Sequence, residues 1–194
     1  MRPTLFVMLK VPRPGRVKTR LGRDIGMTAA AWWFRHQTAR LLRELRDPRW
    51  RLVLAVSPDR EGGASRAWPA GLMRVAQGGG DLGVRMARLL RGAKGPVCII
   101  GADIPGLRRG HVAHAFAALR GHDLVFGPAT DGGFWLVGAR HGSAVPAGVF
   151  ANVRWSGEHA LSDSLASAAT ARIALVQSLH DVDCAADLGL PAGP

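Results

Sequence analysis

Short apolar segments alternate with longer helix-like segments along most of the chain, and this alternation restricts the fold more than any other sequence feature. A strand–helix–strand alternation predicts a mostly parallel sheet with right-handed crossovers and helices on both faces. The predicted strands are residues 5–9, 51–57, 72–76, 96–101, 123–126, 134–137 and 173–176. The predicted helices are residues 28–46, 81–90, 109–119, 158–168 and 185–190, with Thr28 and Asp81 as N-caps.

The strands at residues 123–126 and 134–137 follow one another around a glycine-rich turn and are predicted to form an antiparallel pair. We therefore expect a three-layer α/β/α fold whose sheet is mostly parallel, with one late antiparallel strand pair. A chain of 194 residues is long enough for one domain with a substantial core. The predicted organisation is a single domain over residues 1–194.

The first apolar run, residues 5–9, is too short for the apolar region of a signal peptide. No run reaches the roughly 20 residues that a membrane-spanning helix needs. The two cysteines, Cys98 and Cys184, lack the spacing of metal ligands. These features predict a cytoplasmic protein that does not partner with a membrane.

The chain carries 26 Lys and Arg residues against 14 Asp and Glu residues, which gives a net charge of +12. A basic surface attracts phosphate backbones nonspecifically, so a nucleic-acid partner is one alternative. The arginines are nevertheless spread along the chain, and no recognition-helix, RNA-binding or zinc-finger signature accompanies them. A general bias toward arginine explains the charge better than nucleic-acid binding does.

A basic loop follows the first strand. It contains two prolines that fix its path and Gly15, which lets the backbone approach a ligand closely. Open α/β sheets bind ligands at the carboxyl ends of their strands. The position of this loop therefore favours a polyphosphate-binding role over that of a basic loop that is only solvated. The predicted phosphate-binding residues of this loop are Lys10, Gly15, Arg16, Lys18 and Arg20. The loop is not a Walker A motif, because Val17 and Pro12 replace its glycines.

Acidic residues follow two other predicted strands. Asp103 comes directly after the apolar strand 96–101, and Pro105 prevents that strand from continuing. Asp181 and Asp183 follow the last strand, and their alternation places them on one side of the chain. Mg²⁺ binds one or two carboxylates together with substrate phosphates, so the three acids are candidate ligands of Mg²⁺ or Mn²⁺. The structural alternative for Asp103 is a helix N-cap or a turn, and for the later acids it is one helix N-cap with the others solvated.

The segment Gln77-Gly-Gly-Gly-Asp-Leu-Gly83 contains the spacing of a dinucleotide-binding loop. The strand before it is weakly apolar, however, so an NAD-binding oxidoreductase is a lesser alternative. Contact with the base or ribose of a nucleotide is the favoured interpretation. The residues assigned to it are Gln77, Gly78, Gly80 and Asp81.

Two further segments are candidates for acceptor binding. Asp131-Gly132-Gly133 is typical of a tight turn, and its glycines would let an acceptor come close to the backbone while Asp131 orients a hydroxyl. Trp155 and Ser156 would add a stacking face and a hydroxyl group at the same rim.

Six motifs in register resemble one family of small bacterial proteins described as glycosyltransferase-like, within the GT-A nucleotide-diphospho-sugar transferase superfamily. Its relatives include 2-phospholactate guanylyltransferase and the molybdenum-cofactor guanylyltransferases. The motifs are Lys10-x-Pro-x-Pro-Gly-x-Val-Lys-Thr-Arg-Leu21, Gln77-Gly-x-Gly-Asp-Leu-Gly-x-Arg-Met86, Gly101-x-Asp-x-Pro-x-Leu107, Gly127-Pro-Ala-x-Asp-Gly-Gly-Phe-x-Leu136, Trp155-Ser156 and Asp181-Val-Asp-x-x-x-Asp-Leu188.

The resemblance implies a GT-A α/β fold, a divalent metal and an activated nucleotide as substrate. It assigns Lys18 and Arg20 to phosphate binding and Asp103 to the metal. Two positions depart from the family pattern: Cys184, where Thr is expected, and Ile104, where Cys is expected.

The combined prediction is a Mg²⁺- or Mn²⁺-dependent transferase, and its catalytic residues are Lys18, Asp103 and Asp131. A glycosyltransferase acting on a nucleotide-diphospho-sugar is the leading expectation, and a nucleotidyltransferase that releases pyrophosphate is the alternative. A noncatalytic nucleotide- or nucleic-acid-binding module is the third possibility. The expected partners are therefore a nucleotide sugar or nucleoside triphosphate and a small-molecule acceptor.

Overall fold

A computed structural model describes residues 1–188 as one seven-stranded sheet with helices on both faces. The strands are β1 Thr4–Lys10, β2 Arg51–Ser57, β3 Met73–Ala76, β4 Val97–Ile100, β5 Leu124–Pro128, β6 Phe134–Ala139 and β7 Ile173–Leu175. The helices are α1 Thr19–Ile25, α2 Met27–Glu44, α3 Asp59–Ala64, α4 Leu82–Arg91, α5 Arg109–Ala118 and α6 Ala160–Ser167. Single 3₁₀ turns occupy Gly142–Ala144 and Ala186–Leu188.

The strand order in the sheet is β3-β2-β1-β4-β6-β5-β7. All neighbouring pairs are parallel except the two that involve β6, which runs antiparallel to both β4 and β5. The predicted mostly parallel sheet with a late antiparallel pair is therefore confirmed. Within that pair β6 is the reversed strand, because β5 runs in the same direction as β4.

The central strands separate two hydrophobic cores, one on each face of the sheet. In β4, Cys98 and Ile100 belong to the core that includes side chains of α2 and α5, whereas Val97 and Ile99 belong to the core that includes side chains of α4. Successive side chains of a strand point to opposite faces, so a strand that is buried on both faces must be apolar throughout. The predicted three-layer α/β/α arrangement follows from this burial.

Three local predictions need correction. Helix α2 begins at Met27 after Gly26, and Thr28 does not cap it. Helix α1 replaces the end of the predicted basic loop; no capping side chain marks its start in the sequence. Helix α3 lies in a segment for which no helix is predicted, because its two glycines are poor helix formers. Of the predicted helix 185–190, residues 185–188 are described, and of these Ala186–Leu188 form a single 3₁₀ turn; residues 189 and 190 lie outside the described residues.

The sheet direction brings four chain segments to one edge. Because β1, β4, β5 and β7 are parallel, the segments that follow them all leave the sheet at its carboxyl edge. These are the segments that hold the predicted basic loop and the predicted acids. Among the described residues, no helix has both the length and the apolar character that crossing a membrane requires.

Candidate active site

Three carboxylates meet at the carboxyl edge of the sheet. The segment after β7 is tied to the segment after β4 by the Val182 N–H, which donates to the Asp103 carbonyl oxygen at 3.1 Å. The Val182 side chain is buried in a small core, so its neighbours Asp181 and Asp183 are turned the other way. One carboxylate oxygen from each of Asp103, Asp181 and Asp183 lies within 4.8 Å of the others. We call these three residues the acid cluster.

Lys18 closes one side of the acid cluster. Its Nζ lies 2.6 Å from Oδ2 of Asp103 and 2.9 Å from Oδ1 of Asp183, and its side chain is only 8% exposed. Lys18 precedes α1 with φ 45°, a left-handed conformation that costs a non-glycine residue about 1 kcal/mol or more. Arg20 adds a second ion pair to Asp183 at 2.8 Å but is mostly exposed. The start of α1 is therefore held against the segment after β7.

The charges in this region alter the acidity of three groups. Burial alone would lower the pKa of Lys18, but the charges and hydrogen bonds of Asp103 and Asp183 outweigh it, and the pKa is raised. Burial works against the charged form of Asp183, yet Lys18 and Arg20 hold its pKa below the usual value. The pKa of Asp181 is raised by burial and by the neighbouring carboxylates, Asp131 first among them. Asp181 therefore carries negative charge that the described cations do not fully compensate.

A basic cavity of about 510 Å³ lies beside the acid cluster. Val17 anchors its loop in the hydrophobic core, so the loop is fixed rather than freely solvated. Arg13 differs from its neighbours: it pairs with Glu61 of α3 and does not line this cavity. Gly15 takes a positive φ of 72° at an exposed turn and does not line it either. The predicted phosphate-binding side chains that do line it are Lys10, Arg16, Lys18 and Arg20.

An apolar cavity of about 350 Å³ lies on the other side of the acid cluster. Its walls come from β1, β4, β6 and α4, together with the segment around Trp155. The two cavities share Met8, Gly101, Asp103, Asp131 and Ser156. Of the predicted acceptor-binding residues, Gly133, Trp155 and Ser156 line the apolar cavity.

Asp131 lines both cavities, and its side chain accepts a hydrogen bond from the Gly133 N–H at 2.9 Å. Gly132, at φ 86°, packs against the backbone of Glu158 and is absent from both linings, so it has a structural role in this turn. Ser156 also has a positive φ, 66°, and its carbonyl accepts from Arg20 Nη2 at 3.4 Å. This last contact links the basic loop to the segment that carries Trp155.

The residues predicted to contact a base or ribose lie away from the linings of both cavities. Gln77 is buried, and its Nε2 donates to the carbonyls of Leu9 and Ala55 at 3.2 and 2.8 Å, which ties the ends of β1 and β2 together. Asp81 caps α4 by accepting from the Val84 N–H, as its N-cap prediction requires. Gly78 and Gly80, in the turn between Gln77 and Asp81, have positive φ values of 76° and 96°. In this structure residues 77–81 hold the ends of β1 and β2 together and cap α4.

Sequence reasoning missed two supports of the site. A Cβ on Gly101 would lie 2.9 Å from Oδ1 of Asp103, so a glycine is needed for this carboxylate to lie against the chain. His180 links the Thr130 hydroxyl, at 2.7 Å, to the Asp187 carboxylate, at 3.1 Å, and Asp187 also accepts from the Asp183 N–H. The acidic residue Asp187 was visible beside the acid pair, but nothing in the sequence indicated its role as a backbone acceptor.

The structure closely resembles a crystal structure of a proposed nucleotide-diphospho-sugar transferase from Desulfovibrio desulfuricans. The TM-score is 0.84 at 29% sequence identity, and the alignment covers 96% of this chain and 84% of that one. The CMP:2-keto-3-deoxy-manno-octonic acid synthetase complexed with CTP has the same fold, with a TM-score of 0.57, 12% identity and coverage of 97% and 96%. Rv0371c of Mycobacterium tuberculosis in complex with manganese gives a TM-score of 0.53, 16% identity and 97% coverage of both chains.

These likenesses confirm the expected nucleotide-diphospho-sugar transferase fold. No functionally curated protein matches the sequence. A family profile described as an uncharacterized protein conserved in bacteria (DUF2064) matches residues 41–157, which is more than half of the chain. The chain therefore belongs to the DUF2064 family.

Proposed function

We propose that this protein is a metal-dependent transferase that uses an activated nucleotide, with a nucleotide-diphospho-sugar as the leading candidate for the donor. One observation carries the proposal: three carboxylates lie within 4.8 Å of one another beside a cavity lined by four cations. An anion-binding surface alone would gain nothing from carboxylates at its rim. A divalent cation held by these carboxylates would account for both sets of charges, because it would neutralise the acids and attract a diphosphate into the basic cavity.

The acid cluster fits a hard divalent cation. It offers oxygen ligands from Asp103, Asp181 and Asp183. Burial and then the neighbouring carboxylates raise the pKa of Asp181, and a bound cation would offset both effects. Mg²⁺ or Mn²⁺ is the proposed ion, and the manganese complex of Rv0371c, a protein of the same fold, is consistent with it. When bound, the ion would supply charge neutralisation at the departing phosphate oxygens.

The residues around the cluster take complementary roles in this proposal. Arg16, Arg20 and Lys10 hold the diphosphate in the basic cavity, and Lys18 neutralises charge that develops on it. In glycosyl transfer an acceptor hydroxyl oxygen bonds to the anomeric carbon as the bond from that carbon to the diphosphate oxygen breaks. The diphosphate keeps the electron pair. Asp131 receives the hydroxyl proton, since it lines both cavities and makes no ion pair among the described residues.

Nucleotidyl transfer is the second candidate. Here an acceptor oxygen attacks the α-phosphorus of a nucleoside triphosphate and pyrophosphate leaves. Four cations in one cavity suit a triphosphate, and the CTP complex of the octonic acid synthetase has the same fold. The similarity to the Desulfovibrio protein, which extends over most of both chains, favours a nucleotide sugar.

A thermal-shift panel separates these candidates. Nucleoside triphosphates and nucleotide sugars are each tested with Mg²⁺ and with EDTA. Stabilisation by a nucleotide sugar that requires Mg²⁺ supports glycosyl transfer, and stabilisation by GTP or CTP alone supports nucleotidyl transfer. If every nucleotide stabilises equally in EDTA, the protein is a noncatalytic anion-binding module and the proposal fails.

A further inference from the structure

The apolar cavity has an uneven distribution of polar groups. Its polar side chains, Asp103, Asp131, Asp181 and Ser156, border one end, where the cavity meets the acid cluster. Apart from the indole rings of Trp135 and Trp155, the remaining side chains of the walls can neither donate nor accept a strong hydrogen bond. They include Leu82 and Met86 from α4, Ile99 from β4, Phe134 and Val137 from β6. A ligand here meets carboxylate and hydroxyl groups at one end only.

One wall of this cavity is held by close packing. Gly83 of α4 lies so near the segment after β6 that a Cβ there would be 2.7 Å from Cβ of Phe150 and 2.8 Å from Cζ2 of Trp155. The rings of Phe134, Phe150 and Trp155 pack on one another with centroids 5.9–6.4 Å apart. The Trp155 ring is thereby positioned as a fixed wall before any ligand arrives.

The same segment contains strained backbone. Phe150, Asn152 and Ser156 have φ values of 65°, 58° and 66°, in the left-handed region that non-glycine residues rarely adopt. Such strain is kept when surrounding structure enforces it and concentrates at binding sites. Leu82, also in the lining, is 44% exposed, so a large apolar side chain is available to a ligand. The cavity therefore combines a pre-formed aromatic wall with an uncovered aliphatic one.

From this arrangement we infer that the acceptor of the transferase is amphiphilic, with an apolar ring or branched chain in the apolar cavity and a hydroxyl or phosphate at the acid cluster. The inference rests on the proposed function, which supplies the activated nucleotide on the other side of the cluster. A sugar acceptor with hydroxyls around its ring would leave several of them against Leu82, Met86 and Ile99 without hydrogen-bond partners. The geometry thus favours an alcohol or phosphate with an apolar body.

Ligand-observed NMR tests the class with two matched probes, benzyl alcohol and glucose. Saturation transfer from the protein is expected for benzyl alcohol and not for glucose. The Leu82→Asn variant is expected to weaken benzyl alcohol binding about fivefold or more, because it removes apolar contact area from the wall. Val84→Asn is the control: Val84 lies on the same helix, is 49% exposed and does not line the cavity. It should leave binding unchanged.

Equal binding of glucose and benzyl alcohol, or equal effects of Leu82→Asn and Val84→Asn, overturns the inference. Nucleotide binding with Mg²⁺ is measured on the same samples. If nucleotides fail to bind while benzyl alcohol still distinguishes the two variants, the proposed function falls and the apolar selectivity of the cavity stands. If nucleotides bind and benzyl alcohol does not, the transferase proposal stands and the amphiphilic acceptor is wrong.

Discussion

The basic and apolar cavities flank the same acids but are built from different parts of the fold. The basic cavity is bounded mainly by segments that follow strands, and long-range ion pairs such as Lys18 with Asp183 hold it together. The apolar cavity adds apolar side chains from within β1, β4, β6 and α4 to the residues that it shares with the basic cavity and to the segment around Trp155. The strand and helix side chains form part of its apolar wall, whereas the arrangement of charge comes from contacts between segments about 165 residues apart.

This difference predicts that substitutions will act differently on the two sides. Changing a charge beside the acid cluster should alter metal and phosphate binding strongly while the fold stays intact, because the side chains of Asp103, Asp183 and Arg20 are partly exposed. Changing an apolar side chain in the wall of the apolar cavity should alter acceptor binding and leave metal binding unchanged. Leu82→Asn tests the apolar side, and four substitutions at the acid cluster test the charged side, in order of decreasing expected effect.

Asp103→Asn should have the largest effect. The substitution keeps the size of the side chain but removes the charge that a divalent ion needs, and we expect Mn²⁺ affinity to fall about 100-fold or more. Isothermal titration calorimetry with Mn²⁺ measures this directly. Asp163→Asn is the matched control, because Asp163 pairs with Arg154 away from both cavities. Equal Mn²⁺ affinities for Asp103→Asn and the parent would remove Asp103 from the metal site.

Lys18→Met should change two affinities in opposite directions. The ammonium group of Lys18 places a positive charge beside Asp103 and Asp183, where it competes with a metal ion. Its loss should therefore strengthen Mn²⁺ binding about tenfold in the absence of nucleotide. Pyrophosphate binding should weaken by a similar factor, since a phosphate partner is lost. Lys10 lines the same cavity without contacting the acids. Lys10→Met should therefore weaken pyrophosphate binding and leave Mn²⁺ affinity unchanged. If both variants lower Mn²⁺ affinity, Lys18 supports the ion instead of competing with it.

Asp181→Asn should make the metal-free protein more stable. Because the folded-state pKa of Asp181 is raised, its charge disfavours folding at pH 7, and this penalty is relieved as the pH falls through the raised pKa. We expect the melting temperature to rise by about 1–3 °C at pH 7 and the gain to vanish under acid conditions below the ordinary aspartate pKa. Differential scanning calorimetry at two pH values in EDTA provides the measurement. A lower melting temperature at pH 7 would contradict the assigned electrostatic penalty.

Gly101→Ala should have the smallest effect of the four. Its Cβ would push on the Asp103 carboxylate at 2.9 Å, and Mn²⁺ affinity should fall about threefold as that carboxylate turns away. Gly106→Ala serves for comparison, because a Cβ there meets nothing within 4 Å. Titration of Mn²⁺ into both variants distinguishes them, and identical affinities would show that Asp103 does not depend on this glycine.

The fold was predictable because its signals are local and strong. The strand 51–57 agrees with β2 at both ends, and Asp81 caps α4 as expected, since an apolar run and a capping carboxylate are visible in the sequence alone. Helix α1 was missed because its first residue is preceded by Lys18 in a left-handed conformation, without a capping side chain. Propensity gives no indication of a helix start that tertiary contacts impose.

Within the candidate site, the sequence placed the acids at one sheet edge, because parallel strands must end there together. It did not reveal that Arg13 turns away to Glu61 or that Gln77 ties β1 to β2. Both side chains look available for phosphate or base contacts until α3 and the strand ends are packed. Partner choice among many arginines depends on distances that no local pattern encodes.

The central claim is that the acid cluster and the facing cations bind a diphosphate jointly through a divalent ion. Calorimetric titration of inorganic pyrophosphate tests it without choosing a base or a sugar. We predict at least about tenfold tighter pyrophosphate binding with saturating Mn²⁺ than with EDTA in the parent protein, and little difference in Asp103→Asn. Equal pyrophosphate affinity with Mn²⁺ and with EDTA in the parent would contradict the account.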